Sequence, residues 1–214
     1  MRGLLIVIEG PDGSGKRTQS ELLDKHLAKS GFRVKRYSYP DYGSPYGKLI
    51  AEHLQGTKMR GIKELFLLYL ADMVAKAEDV EREIRSGSMV IMDRYFQSTV
   101  AYQSSQGFNY EDAKSVENIF GLTTPDLGIY VDIPATDAMR RKQRQRDLEG
   151  EEADVHEKDA RLQENVRAVY ERMIREGFGA KKWVVVDGRV GIDKTQRAIA
   201  GIVDGACVAA GIKK

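Results

Sequence analysis

The chain has 214 residues, with 34 lysines and arginines against 32 aspartates and glutamates, giving a formal net charge of +2. That length suits one large core, or a core with a small lid, and the near-balance of charge argues against a general nucleic-acid binder. The single cysteine, Cys207, excludes an internal disulfide and fits a reducing compartment. No apolar run approaches the ~20 residues that span a bilayer, and no leader-like segment precedes the first strand, so a soluble, cytoplasmic protein is expected.

In chain order, the apolar run at 4–9 predicts a buried strand, and 16–30 predicts a helix, with Leu22, Leu23 and Leu27 near a 3.6-residue period and Gly31 at its end. Further strands are expected at 33–39, 89–92, 127–132 and 183–187, and further helices at 45–55, 61–86, 95–120, 135–146, 157–178 and 191–210. Regular alternation of this kind implies parallel strands joined by crossover helices, hence a doubly wound α/β sheet. The charged stretch 140–157 begins basic and turns acidic, and it reads as a mobile flap on a single domain covering 1–214. The helix expected at 61–86 carries Leu65, Leu67, Leu68, Leu70, Met73 and Val74, more apolar width than one sheet face needs. Either a two-fold dimer or plain burial against the sheet accounts for that width.

The strongest local signal lies between the first strand and the first helix. Gly10-Pro11-Asp12-Gly13-Ser14-Gly15-Lys16 follows the apolar run directly. A glycine-rich turn at a helix N-terminus points successive backbone N–H groups inward, and the helix dipole adds partial positive charge, so the loop is expected to cradle a nucleotide's phosphates. The GxxxxGK spacing lets Lys16 reach the β- and γ-phosphates. Position 17 departs from the pattern: it carries Arg17 where a Ser or Thr hydroxyl would meet Mg²⁺. Thr18 has a hydroxyl, but one residue along a helix turns it about 100° away. Asp12, a carboxylate beside phosphates, needs a cation, a sugar hydroxyl or a base-side donor to be tolerated there. Glu9 reads as a turn cap.

Asp93-Arg94-Tyr95 follows the strand at 89–92, and ligands of open parallel sheets bind at the carboxyl ends of the strands. Asp93 is therefore a candidate Mg²⁺ ligand or proton acceptor, and Arg94 a bidentate grip for a second phosphate. Beyond the triplet, Gln97, Ser98, Tyr102 and Gln103 fall at helical spacing, with Ser98 and Tyr102 on one face. That face suits a flat base and sugar, or simply solvent. Arg140, Arg141, Arg144 and Arg146 cluster within two helical turns and could close over transferring phosphates. They could equally pair with the acids Asp147, Glu149, Glu151 and Glu152.

Residues 9–19 (EGPDGSGKRTQ) and 93–103 (DRYFQSTVAYQ) resemble the two long motifs of the thymidylate kinases, and the resemblance extends over nearly the whole chain. It implies a P-loop three-layer sandwich with a five-stranded parallel sheet and a small arginine-rich lid. It further implies ATP-dependent phosphorylation of dTMP to dTDP, with Mg²⁺, by a cytoplasmic homodimer that binds neither nucleic acid nor membrane. On this resemblance Gly10, Pro11, Asp12, Gly13, Ser14, Gly15, Lys16, Arg17 and Thr18 hold ATP, joined by Arg140 and by the adenine-backing Asp187, Gly188 and Arg189. Lys16, Asp93, Arg94, Arg141 and Arg144 serve the transfer, and Asp93 with Asp12 organises the metal. Tyr39, Pro40, Asp12, Arg94, Ser98, Tyr102 and Gln103 meet the acceptor. Gly13 in the loop, with arginines in the lid, resembles the lid-arginine type. Three positions depart from the family: Arg17, Met73 where an arginine usually contacts the base, and Tyr42 where an arginine often helps hold the acceptor phosphate. Another pyrimidine nucleoside monophosphate kinase and a non-catalytic nucleotide-binding protein remain as rivals. A regulatory GTPase does not, since no NKxD-like segment is present.

Overall fold

Five consecutive apolar residues suit a strand covered on both faces, and β1 (Leu5–Glu9) runs through the centre of the sheet with every residue buried. The computed structural model describes residues 2–149 and 160–212. All strands are parallel, in the order β2 (Val34–Ser38), β3 (Met89–Asp93), β1, β4 (Leu127–Asp132), β5 (Trp183–Asp187). Ile8 stands opposite both Asp93 and Ile129, so the phosphate-loop end of β1 and the acidic end of β3 emerge at one edge of the sheet.

Side chains alternate across the sheet and fill two separate cores. Ile6, Ile8, Ile91 and Ile129 meet Leu23 and Leu27 of α1 (Lys16–Lys29) and Ile199 and Val203 of α9 (Ile192–Ala209). Leu5, Val7, Val90 and Met92 face the other way, into α3 (Ile62–Val74), α4 (Ala77–Arg85), α5 (Phe96–Ser105), α6 (Tyr110–Ile119) and α8 (Ala160–Glu176), while α2 (Pro45–Leu54) and α7 (Ala135–Glu149) contribute no side chain to either core cluster. Phe66, Phe96, Val100, Val166 and Tyr170 form much of that second core. Each such side chain contributes roughly 1.5–3 kcal/mol on burial, so the three-layer sandwich is fixed chiefly by the two faces of one sheet.

The helix boundaries follow identifiable local chemistry. Gly31 follows the Ser30 cap of α1 with φ +88°, and the amides of Gly31 and Phe32 return to Ala28 and Leu27, the double bond of a Schellman ending. Two of the expected helices are each divided. The stretch 95–120 breaks into α5 and α6 at Gly107 (φ +104°), and Asn109 caps α6 by accepting from Glu111 and Asp112 N–H. The stretch 61–86 breaks at Ala75 and Lys76 into α3, which buries Leu65, Phe66, Leu70 and Met73, and α4, which lays Val80 and Ile84 on the sheet. Neither glycine nor proline marks this second break; packing of α4 imposes it. The expected flap at 140–157 continues α7 as far as Glu149, and its 150–157 portion lies outside the described residues, as does the start of the helix expected at 157–178.

Candidate active site

The loop after β1 closes around backbone rather than side chains. Gly15 caps α1 with φ +89° and no side-chain cap, so the first-turn amides of the helix open into the loop. A Cβ on Gly15 would meet nothing within 4 Å, so its glycine answers to backbone geometry. Gly13 answers to space, because a Cβ there would stand 2.2 Å from the Ala138 carbonyl oxygen at the start of α7. Lys16 Nζ donates to the Pro11 carbonyl at 2.7 Å and lies 3.4 Å from Ser14 Oγ. Burial is the main influence on the Lys16 ammonium, and with Arg94 nearby it lowers the pKa from 10.5 to about 8 against the pull of Asp12, Asp93 and Glu9.

Two cavities flank this loop. The first, of about 310 Å³, is lined by Gly13, Ser14, Gly15, Thr18, Arg141 and Gly188, with Gln19 and the Gly191–Thr195 turn beyond. Arg141 Nη2 donates to the Gly188 carbonyl at 2.9 Å, tying α7 to the turn after β5. Asp187 and Arg189 pair with each other at 2.9 Å beside that turn, and Asp187 caps it by accepting from Arg189 N–H. Arg17 does not face the loop: its side chain is 81 % exposed and pairs with Glu21 at 3.3 Å. Thr18, one residue on, lines the cavity instead.

The second cavity, of about 90 Å³, gathers Asp12, Tyr39, Pro40, Arg94, Ser98 and Tyr102, the residues expected around an acceptor. The structure adds Leu54, Tyr69, Tyr95 and Thr99, and places both Met73 and Tyr42 in the wall. Gln103, expected here, is fully buried in α5 and does not line the cavity. Tyr69 lies one turn before Met73 on α3, and Thr99 directly follows Ser98, so helical spacing from the motif residues could have found both. Asp72 fixes the loop that carries Tyr42, since its carboxylate accepts from Asp41 N–H at 2.7 Å and Ser44 Oγ at 2.5 Å.

Arg94 joins the two halves of the site. It adopts a left-handed backbone conformation (φ +65°), unusual for a residue with a side chain. Its Nη1 donates to Ser98 Oγ at 3.0 Å, its Nη2 donates to Asp12, and its guanidinium lies 5.2 Å from the centre of the Tyr102 ring. Burial works against the Arg94 charge, but Asp12, the neighbouring phenols and Glu9 outweigh it and raise the pKa. Tyr102 OH donates to the other Asp12 oxygen at 2.6 Å, and Gln163 Nε2 of α8 lies 3.5 Å from it. Glu9 is more than a turn cap: it is wholly buried and accepts from Tyr95 N–H, Ser98 Oγ and Tyr170 OH. Burial pushes the Glu9 carboxyl up, while Arg94 and those donors hold it down. Asp93 is likewise buried and raised for that reason, opposed by Lys16 and Arg94.

Among the described residues no three His, Cys, Asp or Glu side chains group as a metal site. Mg²⁺ needs only one or two protein carboxylates when phosphates supply other ligands. The buried strand-end carboxylate of Asp93 fits that demand, whereas both oxygens of Asp12 already accept from Arg94 and Tyr102. The arginines of α7 divide between the two sides, since successive residues point about 100° apart. Arg141 faces the first cavity, while Arg140, Lys142, Arg146 and Gln163 line a further space of about 280 Å³ that opens on Asp12. Arg140 also pairs with Asp137 at 2.9 Å, and Arg144 is exposed on the same helix.

A family model described as thymidylate kinase matches residues 8–199. A thymidylate kinase from Thermosipho melanesiensis is 34 % identical over 94 % of the chain and 98 % of its own length. One from Dictyostelium discoideum is 26 % identical over 95 % of the chain and 86 % of its own length. Among solved structures, a thymidylate kinase from Candida albicans, described as revealing the origin of broad substrate specificity, is similar with TM-score 0.75. It is 25 % identical, and the match covers 96 % of this chain and 92 % of that one.

The buried ammonium of Lys16 makes a prediction about stability. At pH values below about 8 the folded and unfolded chains both carry its proton, and the folded chain bears the full cost of burying it; between about 8 and 10.5 the folded chain releases it first, so stability rises with pH. Lys16→Met is therefore expected to melt at a higher temperature than wild type at neutral pH, with the gap closing as the pH approaches 10.5. Equal melting temperatures at neutral pH would contradict the burial cost.

Proposed function

The chain belongs to the thymidylate kinase family, and we propose that it transfers the γ-phosphoryl group of ATP to dTMP, forming dTDP and ADP. The observation that carries this reading is the pair of cavities on either side of one phosphate loop, with Lys16 bonded to that loop and Arg94 in the wall of the second cavity. The loop amides and Lys16 hold the β- and γ-phosphates, and the space beside Thr18, Arg141 and Gly188 takes the nucleoside of ATP. Arg94 receives the acceptor monophosphate, Tyr102 and Asp12 lie by its sugar, and the walls formed by Tyr39, Tyr69 and Met73 suit a flat base.

In the transfer an oxygen of the acceptor phosphate bonds to the γ-phosphorus as the bond to the β–γ bridging oxygen breaks. Such a reaction asks the protein for alignment, exclusion of water and fixed positive charge rather than covalent work. Lys16, Arg94, Arg141 and Arg144 supply that charge. Mg²⁺, with Asp93 as its protein carboxylate, adds charge neutralisation on the phosphates. Residues 1–214 act as one kinase domain, with the stretch at about 140–157 as its lid. Cys207, buried and free, supports a reducing, cytoplasmic setting. No helix among the described residues is long and apolar enough to cross a membrane.

One observation favours a second reading of the acceptor. Met73, 2 % exposed, lines the acceptor cavity beside Tyr69 and Leu54 and offers a base neither charge nor a strong hydrogen bond. A different pyrimidine nucleoside monophosphate is then also accepted. Association into a homodimer is supported by Leu67 of α3, 60 % exposed, and by exposed Ile119 and Phe120 at the end of α6.

Turnover measured with ATP over a panel of nucleoside monophosphates tests the reaction: dTMP is expected to be phosphorylated, and Lys16→Met to lose on the order of 10²–10³-fold or more while remaining folded. No turnover with any monophosphate, or an unaffected variant, overturns the reading. Arg141→Ala and Arg144→Ala are expected to lower kcat about ten- to a hundredfold with smaller changes in ATP affinity; equal losses in both would reduce them to binding groups. Light scattering on Leu67→Glu is expected to report half the mass of wild type, and a monomeric wild type would refute the dimer.

A further inference from the structure

Glu9 takes no part in the steps above, yet three donors, two from the start of α5 and one from α8, bond its carboxylate. Oε1 accepts from Tyr95 N–H at 2.9 Å, and Oε2 accepts from Ser98 Oγ at 2.6 Å and from Tyr170 OH at 2.7 Å. Tyr170 belongs to α8 and stands 161 residues from Glu9 along the chain. The two hydroxyl oxygens are 2.9 Å apart, and Arg94 Nη1 donates to Ser98 Oγ at 3.0 Å. Each hydroxyl has a single hydrogen, and a guanidinium has only hydrogens to offer. An ionised Glu9 takes one hydrogen from Tyr170 and one from Ser98, which leaves the Ser98 lone pairs facing Arg94. The direction of every bond between α8 and the guanidinium is thereby set.

We propose that Glu9 and Tyr170 are positioning residues which, through Ser98, hold the Arg94 guanidinium in the orientation that receives the acceptor phosphate. The inference rests on the reading of Arg94 as the acceptor's grip. Arg94 needs such support, because it leaves the sheet from a left-handed turn and its Nη2 is engaged by Asp12. A phosphate that binds Arg94 competes with Asp12 for that nitrogen. Ser98, fixed by Glu9 and Tyr170, keeps Nη1 in place while the exchange occurs. Glu9 also sets a negative charge close to a guanidinium withdrawn from water, a placement tolerated only because both partners are bonded.

Tyr170→Phe removes one oxygen and leaves the ring that packs on Tyr130, with centroids 5.0 Å apart. In steady-state assays with ATP and dTMP varied separately, the variant is expected to raise KM for dTMP about three- to tenfold and to leave KM for ATP within about twofold. Glu9→Gln keeps the shape but removes the charge, and a larger rise for dTMP alone is expected. A purely structural role would lower the melting temperature without separating the two substrates. A lower melting temperature with KM for dTMP unchanged, or an equal rise for both substrates, therefore overturns the proposal. A wild-type protein that does not phosphorylate dTMP overturns the functional reading itself, and is distinguished from the former by the wild-type control alone.

Discussion

Arg94 is a positive charge withdrawn from water at the carboxyl end of a parallel sheet, and much of the site is arranged to keep that charge paired. Leaving such a guanidinium unpaired would be costly, so Asp12, Ser98, Tyr102 and, at one remove, Glu9 surround it. These partners come from the phosphate loop, α5 and the end of β1. Through Tyr170 and Gln163, α8 reaches the same cluster. A single ion pair thus links the loop that faces one cavity to the walls of the other. Asp12 also lines the space beside α7, so the acceptor-side cavity and that space share one side chain.

The phosphate loop stands under a second, opposite constraint. Lys16 is buried without a fully compensating anion, curled onto the Pro11 carbonyl, and burial depresses its pKa. A folded chain would be better served by an apolar group at that position. On the proposed function a triphosphate would supply the missing negative charge, so that a group costly in the free protein would be matched to its ligand. Asp93, buried and raised by burial at the end of the neighbouring strand, is the acidic counterpart of the same arrangement.

On α7 the helical rotation of about 100° per residue does chemical sorting. Arg141 turns toward the turn at Gly188, whereas Arg140 and Arg146 turn toward Asp12. A run that looks uniformly basic in the sequence is therefore two sets of cations serving two spaces. The close approach of Ala138 to Gly13 brings this helix against the loop and leaves no room for a side chain there. A loop glycine is thus set against a helix that carries the arginines.

The sequence by itself determined what is local. The apolar run of β1, the glycine spacing of the loop, Lys16, and the Asp93-Arg94 pair at a strand end were all legible, because each is set by neighbours within a few residues. The five strands were likewise readable, as was their parallel alternation with helices. The break at Gly107 carried a signal in its glycine and in Asn109, yet the break at Ala75 carried none, since only the packing of Val80 and Ile84 on the sheet imposes it. Tertiary structure alone decided that Thr18 rather than Arg17 faces the loop cavity and that Gln103 turns into the interior. It also decided that Glu9 is the buried hub for Tyr170. Side-chain direction on a helix depends on what the rest of the chain packs against it, and a bond between residues 161 positions apart leaves no trace in the spacing of either.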